Sequence, residues 1–154
     1  MGLRQKVDQS LKQAMRDRDA QRLSTLRLIN AAIKDREIAK RAEDGEPVAM
    51  DDVEVRGILA KMVKQRRESA KAYEEAGRLG LAEQELGEIL ILEEFLPKQL
   101  NEQERATAIS QAMNEVGADS IRDVGRVMAR LKEKHAGSMD FAVAGAEVRA
   151  RLSA

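Results

Sequence analysis

The chain of 154 residues contains no cysteine and no tryptophan, one histidine, two prolines and three aromatic residues, Tyr73, Phe95 and Phe141. Each shortage removes a class of function. Without cysteine there is no disulfide framework and no thiol nucleophile, and with His135 alone the usual Cys/His zinc sites and Ser-His pairs lack their material. No G-x-x-x-x-G-K-[ST], no G-x-G-x-x-G and no adjacent pair of glycines occurs, so no loop is suited to cradling nucleotide phosphates. The aromatics are too few to form a platform on which bases stack. No apolar run approaches the roughly 18 residues of a membrane helix, and the opening Met1 to Asp8 lacks the apolar stretch of a signal peptide. These absences predict a cytoplasmic protein with no membrane partner, no metal, no cofactor and no catalytic residue of its own.

What is present points to helices. Hydrophobic residues make up 43% of the chain, enough for one core or two small ones. Ala, Leu, Glu, Lys, Gln and Arg abound, and apolar residues recur every three or four positions, which predicts an all-α protein. Leu3, Val7, Leu11 and Met15 mark a first helix; Leu23, Leu26, Ile29, Ile33 and Ile38 mark a second, broken by Glu43 to Pro47. Asp51 or Asp52 caps a third helix carrying Val55, Ile58, Leu59, Met62, Val63, Ala70 and Tyr73 and ending near Gly77. A fourth holds Leu79, Ala82, Leu86, Ile89, Leu90 and Phe95 up to Leu96, where Pro97 disfavours helical geometry in the residue before it.

Pro97 is read as the domain boundary: an N-terminal helical bundle over 1–96, a linker over 97–100, and a smaller three-helix domain over 101–154. In the latter, Asn101 and Glu104 have the spacing of a capping box ahead of Ile109, Ala112, Met113 and Val116, with Gly117 as the stop. Ser120 with Asp123 opens the next helix, which carries Ile121, Val124, Met128 and Leu131 to Gly137. The last helix starts near Asp140 and carries Phe141, Ala144, Val148 and Leu152.

Lys and Arg number 27, as do Asp and Glu, but the zero net charge is an average. Residues 1–42 carry 11 basic and 5 acidic side chains, 43–55 carry 0 and 6, 56–73 carry 6 and 1, 74–96 carry 1 and 7, and 97–154 carry 9 and 8. At 100° per residue, Arg56, Lys61, Lys64, Arg67 and Lys71 fall on one side of the third helix, opposite its apolar arc. This stripe is either a solvated face paired with acidic neighbours or a strip that contacts phosphates. Arg126, Arg130 and Lys134 form a second basic set in the C-terminal part.

Arg66 breaks the pattern by projecting into the apolar arc of the third helix. Glu85 and Glu93 do the same on the fourth, and Asn30 and Glu37 on the second. Withdrawing a guanidinium from water costs on the order of several kcal/mol unless a carboxylate meets it, so Arg66 is expected to pair with Glu85 or Glu93. The cluster Asn30, Glu37, Arg66, Tyr73, Glu85 and Glu93 is then either a clamp between helices or a pocket for a small polar ligand. His135, beside Lys132 and Lys134 at a helix end, suits a capping role, and the seven methionines suit core filling.

The run Lys61-Met62-Val63-Lys64-Gln65-Arg66-Arg67-Glu68-Ser69, then Tyr73, Ala76-Gly77-Arg78, Leu81-Ala82, Glu85, Glu88 and Phe95 to Leu100, resembles the GatB/YqeY family. Leu26 to Lys34, and the tail from Ile121 through Gly137-Ser138-Met139-Asp140 to Leu152, fit the same pattern, so the resemblance covers nearly the whole chain. It implies a stand-alone protein similar to the C-terminal, tRNA-contacting tail of the B subunit of the glutamine-dependent tRNA amidotransferase. The activity attached to the family is that of a carbon-nitrogen ligase with glutamine as amido-N-donor. The chain has neither that subunit's catalytic domain nor an amidase nucleophile region, so this activity would belong to the assembly. Matching positions Arg66, Ser69, Tyr73, Gly77, Arg78 and Glu85 could mark a pocket.

Three functions follow as expectations. The first is a non-catalytic RNA-binding helper that holds a tRNA backbone through Lys61, Lys64, Arg67 and Lys71, assisted by Arg126, Arg130 and Lys134. The second is a component of amidotransferase activity, bound to amidotransferase subunits through the acidic fourth helix. The third is a structural helical adaptor.

Overall fold

A computed structural model describes residues 2–46 and 49–153; Pro47, the last residue of the stretch expected to break the second helix, lies outside them. Among the described residues there are seven α-helices, one 3-10 turn and no strand, so the chain is all-α. Contacts divide it into two compact units, Met1–Leu96 and Pro97–Ala154.

The N-terminal unit consists of α1 (Leu3–Asp17), α2 (Ala20–Asp44), α3 (Asp52–Glu75) and α4 (Leu79–Glu93). The α3–α4 packing is the most extensive, followed by α1 on α2 and α2 on α4. Helix ends follow local chemistry. The Asp19 carboxylate accepts the Arg22 N–H at the start of α2, and Gly45, at φ 77°, ends that helix in the left-handed region that glycine adopts without strain. Asp51 is the cap of α3 and accepts the Glu54 N–H at 2.8 Å. Asp52 is engaged elsewhere, since its Oδ1 accepts the Leu3 N–H at 2.9 Å and ties the start of α1 to the start of α3.

The core holds Val7, Leu26, Ile29, Ile33, Val55, Leu59 and Leu92, all fully buried. Several apolar residues expected inside lie outside it. Met15 and Ile38 are exposed, and Ala14 is buried where Met15 was expected. On α4, Leu79, Leu86 and Leu90 face outward while Ala82, Ile89 and Leu92 face in. The reason is rotational: α4 is apolar on more than one side, so periodicity identifies the helix without saying which side meets α3.

The C-terminal unit consists of α5 (Glu102–Val116), a 3-10 turn at Ile121–Asp123, α6 (Val124–His135) and α7 (Phe141–Ser153) around Ile109, Val127, Leu131, Ala144 and Val148. Ile121 is half exposed rather than core. Residues 99 and 100 are held to this unit, with Gln99 donating to the Gly137 carbonyl and the Leu100 N–H to the Ser138 carbonyl. The capping box forms as the spacing requires: the Glu104 N–H donates to Asn101 Oδ1 at 2.8 Å and the Asn101 N–H to Glu104 Oε1 at 3.1 Å. Asn101→Ala leaves the Glu104 N–H without this partner and is expected to destabilise the unit by about 1 kcal/mol, measured as a lowered thermal midpoint of the α-helical circular dichroism signal. An unchanged midpoint would show that water replaces the cap at no cost.

Candidate functional site

Lys61, Lys64, Arg67 and Lys71 stand exposed on α3, whose opposite side is held in the core by Val55, Leu59, Met62, Val63 and Ala70. The helix is thus anchored with its cations outward. Among the described residues, Lys61, Lys64 and Lys71 have no carboxylate within ion-pair distance, whereas Arg67 reaches Glu93 at 3.4 Å. At 1.5 Å per residue the three free lysines span about 15 Å of helix axis. Arg56, at the other end of the stripe, is half-buried.

The C-terminal cations are placed differently. Arg130 donates to Glu115 and Glu133, Lys134 to Glu115, and Arg126 to Asp123 and the Val116 carbonyl. Hydrogen bonds from Lys134 and Arg130 hold the Glu115 carboxyl below its ordinary range. The Asp123 carboxyl is lowered further, chiefly by the Asp119 backbone N–H, then by the Arg126 guanidinium and the Ser120 N–H. Asp123 thereby organises the entry to α6, and these three cations are compensated within their own unit.

Of the polar cluster expected to be buried, every member is half-buried, and its members fall into separate groups. Arg66 does not pair with Glu85 or Glu93; its Nε donates to Glu88 Oε2 at 2.9 Å, with only 15% and 16% of the two side chains exposed. A guanidinium nitrogen of Arg66 also reaches the Met62 carbonyl at 3.4 Å. Glu93 is taken by Arg67, and Asn30 and Glu37 both accept from Arg4, at 2.8 and 3.1 Å, with Asp8 as Arg4's third partner. Tyr73 lies near the end of α3, where its carbonyl accepts the Arg78 N–H at 2.8 Å around Gly77, at φ 74°. Sequence reasoning thus missed Arg4, and it named Glu88 among the residues of the family resemblance without seeing it as the partner of Arg66. Glu88 sits three residues after Glu85, on the side of α4 that packs on α3, and that i, i+3 relation was the available signal.

Burial pushes the Glu85 carboxyl up, the neighbouring Glu88 charge adds to this, and Arg66 opposes it. A carboxyl raised by folding favours the fold while protonated, and that contribution is lost as pH rises from its ordinary value of 4.5 through the raised one. Glu85→Gln is therefore expected to raise the thermal midpoint at about pH 7 and leave it unchanged near about pH 3, where the parent carboxyl is protonated in both states. Calorimetry at the two pH values checks this; a lower midpoint at neutral pH would mean that Glu85 shares Arg66 productively with Glu88.

The Arg66–Glu88 pair joins α3 to α4 as a clamp, and Arg4 joins α1 to α2. His135 is the final residue of α6, in the same last turn as Lys132 and Lys134. Among the described residues no three His, Asp or Glu side chains gather as metal ligands, and no helix is long and apolar enough to cross a membrane.

Comparison with known proteins adds the lineage. The relative from Clavispora lusitaniae, named "Altered inheritance of mitochondria protein 41, mitochondrial", is 32% identical over 136 residues, which are 86% of this chain and 75% of that protein. Proteins of the same name from Kluyveromyces lactis and Eremothecium gossypii are 33% identical over 89 and 90 residues, in each case 58% of this chain. Those matches span 45% and 46% of the two relatives' own length. The profile of the family described as "Yqey-like protein" matches residues 4–152, and with that span the chain belongs to the YqeY-like family.

Proposed function

We propose that this YqeY-like chain is a non-catalytic RNA-binding helper related to the glutamine-dependent tRNA amidotransferase, and that it holds a tRNA-like molecule by its phosphate backbone along α3. The observation that carries the reading is the set of Lys61, Lys64 and Lys71: exposed, on one side of a helix anchored by its apolar face, and without carboxylate partners among the described residues. Cations already held by carboxylates must give up a partner to meet a phosphate; these three do not. Arg67 joins them by releasing Glu93, an exposed contact of little strength. Arg126, Arg130 and Lys134 are secondary contributors, because each is engaged within its own unit. With three aromatics in the chain, recognition rests on phosphates and shape rather than on stacked bases.

Titration of labelled bulk tRNA at about 50 and 200 mM salt tests the reading. Affinity should fall steeply with salt, because each neutralised phosphate releases counterions. No measurable binding at the lower salt overturns it and leaves the protein-partner and adaptor functions standing.

A further inference from the structure

The outer face of α4 carries an apolar line that the bundle leaves uncovered. Leu79, Leu86 and Leu90 are 63%, 44% and 69% exposed. Their spacings of seven and four residues place them on one side of the helix, over about 16 Å of its axis. Buried Ala82, Ile89 and Leu92 fix the rotation of α4, so the line cannot turn inward without pulling core residues into water. Scattered single leucines on a surface need no explanation, but an aligned row is a surface that the apolar face of an amphipathic helix can meet.

The charges beside the line say what kind of helix fits. Glu83 lies four residues after Leu79 and Glu94 four after Leu90, with Glu93 along the other edge. Glu93 and Glu94 are shared with Arg67 and Arg22, whereas Glu83 has no ion-pair partner among the described residues. Between residues 74 and 96 there are seven acidic side chains and one basic, Arg78, which precedes the helix. Glu83 is thus the rim carboxylate left to meet a cation, and a second copy of this chain would offer it a helix with the same unpaired carboxylate and no lysine or arginine of its own.

We propose that α4 is a docking surface for a basic amphipathic helix of another protein, one with leucine-like side chains on one face and Lys or Arg along the edge that meets Glu83. This goes beyond the RNA reading, which uses the cations of α3; the two share only the Arg67–Glu93 pair, and the lysine substitutions below tell them apart.

The test uses the full chain and a labelled helical peptide of about 20 residues with leucines at every third or fourth position and lysines on both flanks, a length that covers α4. A matched peptide with glutamates in place of the lysines is the control. The lysine peptide should bind saturably and the glutamate peptide should not. Leu86→Gln combined with Leu90→Gln should weaken binding at least about tenfold, and Glu83→Gln by about threefold, with helical circular dichroism unchanged. A chain carrying Lys61→Gln, Lys64→Gln and Lys71→Gln should bind the peptide as the parent does, which separates this surface from the RNA strip. Failure of the lysine peptide to bind, equal binding of both peptides, or binding indifferent to the leucine substitutions overturns the proposal. So does a dimer in sedimentation velocity that Leu90→Gln dissociates, since a second copy would then be the occupant.

Discussion

Leu59→Ala is expected to lower the stability of the N-terminal unit by about 2–5 kcal/mol, while Leu90→Ala changes it by no more than about 0.5 kcal/mol. Both are leucines on helices of the same unit, and they differ in what they touch. Leu59 is fully buried in a cluster with Leu26, Ile29, Ile33, Val55 and Leu92, drawn from three helices. Removing its side chain forfeits the transfer free energy of the lost carbons and leaves a cavity between helices that are already closely packed. Leu90 is 69% exposed, so truncating it removes little buried area. Tyr73 reports the result cleanly: the chain has no tryptophan and no other tyrosine, and Tyr73 lies in the N-terminal unit. In urea the midpoint followed by tyrosine fluorescence should fall for Leu59→Ala with little change in slope, and stay in place for Leu90→Ala. Comparable losses from both substitutions would mean that α4 presents a different side to α3.

Combined Lys61→Gln, Lys64→Gln and Lys71→Gln is expected to weaken tRNA binding by about 10–100-fold at about 50 mM salt and to reduce the slope of log affinity against log salt by about 2–3. Glutamine keeps much of the length and the helix propensity of the side chains while removing the charge, so the fold should be unaffected. The matching set Arg126→Gln, Arg130→Gln and Lys134→Gln should cost much less affinity. Those cations already hydrogen-bond to Glu115, Asp123 and Glu133, so they have less positive charge to offer a phosphate. Equal losses from the two sets would show that compensation by neighbouring carboxylates does not govern which cations the RNA uses. A loss for the α3 set with an unchanged salt slope would mean that these lysines shape the helix rather than meet phosphates.

The all-α class and several helix ends were legible in the sequence because they are decided locally. An apolar residue every third or fourth position makes a helix, Asn101 with Glu104 makes a capping box, and Gly45, Gly77 and Gly117 supply the left-handed residues that end α2, close the turn after α3 and end α5. The cationic strip on α3 was legible for the same reason, since one helix wheel orders both its apolar and its charged sides. The choice between Asp51 and Asp52 as the cap of α3 was not, because Asp52 is drawn off by the Leu3 N–H, 49 residues away.

Partners between helices followed the same rule. From the sequence Arg66 was known to need a carboxylate, since a guanidinium withdrawn from water is costly without one. Which carboxylate it meets depends on the rotation and axial offset of α4 against α3, and those place Glu88 opposite it, with Glu85 beside the pair and Glu93 against Arg67. Arg4 gathers Asn30 and Glu37 by the same kind of long-range placement. The sequence by itself thus determined the elements, the α5 capping box with its glycine stop and the charge each helix carries, all settled over one or two turns of chain. Only the tertiary structure decided which side of α4 is core, which cations are left free, and which leucines face outward, because each of these is a relation between helices far apart in sequence.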